Sequence, residues 1–152
     1  MFDNNLILID GTVDVDADTA ATFVAATSAT RAAATGAVVI DLGVGGTPAK
    51  GLAVVLIIPA ITTSTDYLLA QIQASDAVAF GSDVHLMAAF DVAAATTGRI
   101  LASECTSGLV VIRRFATKER YVRASITPTK VGGDGSFSTL KIYLVPHAFN
   151  VL

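Results

Sequence analysis

Four Lys, two Glu and two Gln stand in this chain against 17 Val, 11 Ile and 17 Thr. An amphipathic helix needs long charged side chains on its outer face, and there are too few here for more than one. β-branched residues lose rotamer freedom in a helix and pack well on a pleated sheet. The imbalance predicts an all-β fold. At 152 residues the chain has about the length of one domain and is read as a single unit over 1–152. Its apolar share of 53% includes 26 Ala, so Val, Leu and Ile supply one ordinary core.

The strands can be placed by alternation. Residues 1–5 form an arm containing Phe2. Leu6–Ile9 is a short strand closed by the turn pair Asp10-Gly11. Residues 12–36 are rich in Ala and Thr, with a weak helix over 19–34 as one option and an extended or loop segment as the preferred one. Ala37–Leu42 is a strand. Leu52–Ile58 is a continuous apolar run, as for a strand buried on both faces. Tyr67–Ala74 places Leu68, Ala70, Ile72 and Ala74 on one face. Val84–Phe90 places Val84, Leu86, Ala88 and Phe90 inward, with His85 and Asp91 outward. A short strand at Arg99–Ser103 and another at Leu109–Arg114 follow.

Arg120–Thr127 turns Val122, Ala124 and Ile126 to one side, and Ser138–Val145 does the same with Leu140, Ile142 and Leu144. Val131–Gly135 forms a hairpin loop between them, and residues 146–152 are a tail. Eight or nine short strands without a long helix predict an antiparallel β-sandwich of jelly-roll type.

Motifs that would carry chemistry fail at named positions. Gly43-Val44-Gly45-Gly46 lacks the third glycine of a dinucleotide loop, because position 48 is Pro48, and a strand rather than a helix follows. Asp14-Val15-Asp16-Ala17-Asp18 begins like a calcium loop, but Thr19 stands where the turn needs glycine and Ala25 where it needs a bidentate Glu. His85 and His147 belong to no ligand cluster. Cys105 is the only cysteine, which excludes an internal disulfide. The sequence therefore predicts no catalytic residue, no metal, no cofactor and no enzymatic activity.

Charge and hydropathy bear on partners. A net charge of −3 predicts neither nucleic-acid nor membrane binding. The longest apolar run, Leu52–Ile61, is too short for a helical span, and the first ten residues do not resemble a signal peptide, so the chain is expected in, or assembled from, a cytosol. Charged residues are 15%, against about 25–35% on a typical monomer surface, which points to partners or adhesive loops covering part of it, with solubilising Ala-, Ser- and Thr-rich loops as the alternative. Residues 1–100 carry −7 and residues 101–152 carry +4. The two halves either neutralise each other within the fold or meet between subunits. Arg113, Arg114, Lys118, Arg120 and Arg123 concentrate positive charge. They form either the solvated rim of two neighbouring strands, with Glu119 as a local partner, or a set of guanidiniums aimed at carboxylates of another subunit.

Several stretches in order resemble capsid cement (decoration) proteins of short-tailed phages of the Bordetella podovirus type. They are the strand Leu6-Ile7-Leu8 with Asp10, Val39-Ile40-Asp41-Leu42-Gly43 with its Gly- and Pro-bearing loop, and the apolar run 52–58. Gln71-Ile72-Gln73-Ala74-Ser75-Asp76 with Phe80 comes next, then Arg120-Tyr121-Val122-Arg123 leading through a Gly-rich turn to Ser136–Val145. The long segment 12–36 and the tail depart from that pattern.

The resemblance implies a jelly-roll-like sandwich that forms a homo-oligomer, dimer or trimer, and clamps the phage major capsid protein on the outer surface of the virion. Phe2, Arg113, Arg114, Arg120, Tyr121 and Arg123 are then the candidate interface residues. A β-sandwich binding module, such as a carbohydrate-binding or adhesin domain of a phage fibre, is the alternative, against which the absence of Trp counts.

Overall fold

The computed structural model describes residues 6–11, 39–61, 66–93, 100–101, 108–130, 136–137 and 139–146. They hold nine strands and no α-helix: β1 Ile7–Asp10, β2 Val39–Asp41, β3 Leu52–Ile58, β4 Tyr67–Ser75, β5 His85–Ala93, β6 Ile100–Leu101, β7 Leu109–Phe115, β8 Tyr121–Thr129 and β9 Lys141–Pro146. The arm at 1–5 with Phe2, the segment 12–36, the loop Val131–Gly135, Cys105 and the residues from His147 onward lie outside the described residues. Pro146, placed in the tail by its sequence, is the last residue of β9.

The strands form two sheets, ordered β1-β9-β3-β7 and β2-β8-β4-β5-β6. This order follows from one long ribbon rolled up. The chain doubles back between β4 and β5, and antiparallel pairs then run outward as β4·β5, β3·β7, β2·β8 and β1·β9. Rolling the ribbon adds the pairs β3·β9 and β4·β8. The result is the jelly-roll form of the antiparallel sandwich that the strand pattern predicts. The β5–β6 pair is parallel, the one departure from an antiparallel ladder among the described strands.

Alternation explains the core. Leu68, Ala70, Ile72 and Ala74 of β4 and Val122, Ala124 and Ile126 of β8 are buried, as are Leu140, Ile142 and Leu144 before and within β9. They meet Leu52, Val54, Leu56 and Ile58 of β3 in one cluster, together with Phe90 and Phe137. Ala53 and Val55, on the other side of β3, are buried as well. The continuous apolar run thus reads correctly as a strand covered on both faces. Pro128 lies in β8 opposite Leu68 of β4 and beyond the three residues that β2 pairs.

Strict alternation misplaces the start of β5. Ile72 pairs with Ala88 but Gln73 pairs with Leu86, so Met87 is an extra residue. A bulge of this kind reverses the phase of the strand. Val84 and Leu86, expected inward, are exposed, while Phe90 and Val92 remain buried. β1 has a similar irregularity between Ile7 and Ile9, which lets both Leu8 and Ile9 enter the core.

Candidate interaction surface

The basic residues do not form one cluster. β7 and β8 belong to different sheets, because residues 116–120 carry the chain from one to the other. Arg114 stands opposite Ala53 on the outer side of the four-stranded sheet. Arg113 stands opposite the core residue Val54, yet is exposed because β7 is the last strand of its sheet. Tyr121 and Arg123 alternate with the buried Val122 and Ala124, which places them on the outer side of the five-stranded sheet. The rim of two neighbouring strands expected from the sequence is therefore replaced by two opposite outer faces. Glu119 Oε1 lies 3.7 Å from His85 Nε2.

Two of the arginines are engaged within the chain. Arg120 donates from Nε and Nη2 to the two carboxylate oxygens of Asp41, at 2.9 and 2.7 Å. Its backbone N–H donates to Asp76 Oδ1, and its guanidinium lies 5.1 Å from the centre of the Tyr121 ring. The Arg120 hydrogen bonds hold the Asp41 carboxyl below the usual carboxylate range, with help from the Gly43 N–H and against a smaller effect of burial. The acidic first part of the chain and its basic last part thus meet here inside one fold.

Arg123 donates from Nε to Gln73 Oε1 at 2.9 Å and stacks 4.1 Å above the Phe80 ring. Burial lowers its pKa, and the stacked ring partly compensates the lost hydration. Phe80 is nearly buried with φ at +51°, a conformation that L-residues seldom adopt, so the arginine helps fix a strained turn. Replacing Arg123 with Ala is expected to cost about 1–2 kcal/mol in unfolding free energy. Replacing the exposed Arg113 with Ala is expected to change it by less than about 0.5 kcal/mol. Urea titration of both variants checks this, and equal losses would show that Arg123 has no special structural role.

The connections that cross between the sheets are tied to each other. Thr47 donates from its N–H and its hydroxyl to the Thr117 carbonyl, and accepts the Thr117 N–H in return. Leu42 N–H donates to the Arg120 carbonyl. The glycine-rich segment after β2 is therefore a strap, tied to the β7–β8 connection, that lets two backbones approach. Among the described residues no group of three or more His, Cys, Asp or Glu is placed to hold a metal ion. No helix there is long and apolar enough to cross a membrane.

The surface feature that sequence reasoning missed is apolar. Six large apolar side chains are exposed among the described residues, and four lie on or next to β5 and β7, strands of different sheets. These are Val84 (40%), Leu86 (56%), Val110 (62%) and Ile112 (57%). Val110 and Ile112 stand opposite Ile57 and Val55 on the outer side of the four-stranded sheet. The signal was present in the run Leu109-Val110-Val111-Ile112, apolar at successive positions although the strand lies at an edge.

No family model matches the chain, and no curated protein sequence matches it.

Proposed function

We propose that the chain is a structural protein of a tailed-phage virion. It acts as a capsid cement or decoration protein on the outer surface of the shell, assembled in the host bacterial cytoplasm. Its partners are the major capsid protein and further copies of itself. The role involves no catalysis, cofactor, nucleic acid or membrane. The observation that supports it most is the exposure of the large apolar side chains Val84, Leu86, Val110 and Ile112. Exposed apolar side chains that share a face, as Val110 and Ile112 do, mark a protein contact, and burying them against a neighbour gains about 25 cal/mol per Å².

The physical task of a cement protein is differential binding. A chain that binds the expanded lattice more tightly than the unexpanded one shifts the equilibrium toward the expanded state. That requires contact area on more than one subunit, which the outer surfaces of a two-sheet sandwich can supply. The strand order resembling the cement family points the same way.

The carbohydrate-binding reading has weaker support. A glycan platform needs an open aromatic face, and Arg120 lies over the ring of Tyr121. Mass spectrometry of purified particles of the phage that encodes the chain tests the proposal. The expected result is a copy number in simple ratio to the major capsid protein. Absence from particles, or a number unrelated to the lattice, would overturn it.

A further inference from the structure

We infer that the β4–β5 loop, residues 76–84, is a two-position latch with Phe80 as its bolt. It is closed on Arg123 in this structure and open in a minor state, in which the segment leaves the sheet as a unit. The device stands apart from the capsid role and is read without a partner.

The loop hangs on one side chain. Every residue of 76–84 except Phe80 is exposed, whereas Phe80 keeps only 7% of its surface. That burial is not in the core, because Phe80 does not belong to the cluster that joins the two sheets. The ring is folded onto the outer side of the five-stranded sheet instead. Arg123 alternates there with the buried Val122 and Ala124 and stands beside Gln73 of β4. Its guanidinium lies 4.1 Å from the Phe80 ring centre, and its Nε donates to Gln73 at 2.9 Å.

The feet of the loop are held and its middle is not. Arg120 N–H donates to Asp76 Oδ1 at one foot, and Glu119 lies 3.7 Å from His85 just past the other. Both partners come from the connection at 116–120. Between the feet the hydrogen bonds are local. Phe80 N–H donates to the Ala77 carbonyl at 3.0 Å, Ala77 N–H to Ser75 Oγ at 3.1 Å, and the Ser75 hydroxyl to the Ser82 carbonyl at 3.4 Å. A segment tied only to itself and to one stacked ring can open without disturbing the ladders.

Strain supplies the opposing force. Phe80 and Asp83, with φ at +51° and +53°, are the only residues other than glycine with positive φ among the described residues. L-residues resist that conformation, and opening relieves both at once. Burial of the ring and its stacking on a cation close the latch. Opposed effects of this size leave an open state at about 0.1–10%, a minor conformer that a partner can select. Opening adds the Phe80 ring to Val78 and Val84, already exposed in the same segment. The closed position therefore stores an aromatic contact residue that the open one presents.

Amide hydrogen exchange of the full chain, followed by NMR in rising but sub-denaturing urea, tests this. The reporter is the Phe80 N–H. It is expected to be protected about 10–1,000-fold, the inverse of the open population. Its rate should not change with urea, because a local opening exposes little surface. Amides at the centres of β4 and β8 should exchange far more slowly and speed up as urea rises. Arg123→Ala is expected to lower the protection of the Phe80 amide by about 10-fold, and Arg113→Ala to leave it unchanged.

A Phe80 amide that follows the core amides in rate and urea slope would overturn the inference, since the loop would then unfold only with the whole domain. An unprotected Phe80 amide, or one whose protection survives Arg123→Ala, would overturn it as well. The wild-type urea series needs no variant, so the test stands even where Arg123→Ala folds poorly.

Discussion

Replacing Phe137 with Ala is expected to lower the unfolding free energy by about 3–5 kcal/mol. Phe137 belongs to no strand, yet its side chain is fully buried and packs in the cluster that joins the two sheets. An aromatic ring in such a place removes roughly 150–250 Å² from water. Its loss leaves a cavity between two hydrogen-bonded sheets held about 10 Å apart, and their ladders oppose collapse into it. Against a total stability of about 5–15 kcal/mol for a domain, the loss is severe. Urea unfolding followed by circular dichroism measures it. Val110→Ala, at an exposed edge position, should shift the midpoint only slightly. A Phe137→Ala cost below about 1 kcal/mol would mean that the ring does not fill the core as described.

The second large effect is expected at Gly46. Its φ is +73°, and a Cβ built there would lie 2.2 Å from the Thr117 carbonyl oxygen and 2.7–2.8 Å from the Lys118 backbone. Backbone atoms cannot swing aside, and Thr117 is tied to Thr47 by reciprocal hydrogen bonds. Gly43 offers the control. Its φ is +83°, but a Cβ there would meet nothing within 4 Å. Gly43→Ala should therefore cost only the left-handed backbone conformation, about 1–2 kcal/mol. Gly46→Ala should cost that plus about 1–3 kcal/mol of forced displacement. Thermal melts of the two variants side by side separate the terms. Equal costs would mean that the strap and the β7–β8 connection are not in contact.

Local pattern carried much of the fold. Tyr67–Ala74 and Arg120–Thr127 show strict alternation, and the buried side chains are the ones that period two selects. The continuous apolar run of β3 marks an interior strand because residues on both of its sides are covered. The same rule fails at the start of β5, where Met87 is an extra residue and nothing in the sequence announces the phase change.

Long-range pairing was not legible at all. Ile7 pairs with Tyr143 and Val39 with Arg123, and only the rolled ribbon brings these together. This is why the surface was read incompletely. Arg113, Arg114, Arg120 and Arg123 are neighbours in sequence, but the crossover at 116–120 sends them to different sheets. Arg120 then closes on Asp41, a residue 79 positions earlier. The run Leu109–Ile112 looks like a second interior strand. Only its place at the end of a sheet shows that its apolar side chains are exposed.

What remains after these assignments is a β-sandwich with exposed apolar side chains on and next to β5 and β7, and their role as a capsid contact is the central claim. Binding of the purified chain to shells of its own phage, followed by thermal rupture of those shells, tests it most directly. Particles stripped of the chain should release their DNA at a lower temperature, and adding back wild-type protein should restore the original value. A variant with Val84, Leu86, Val110 and Ile112 all changed to Ser, shown to be folded, should bind poorly and fail to restore it. Full binding and full protection by that variant, or no effect of the wild type on rupture, would contradict the account.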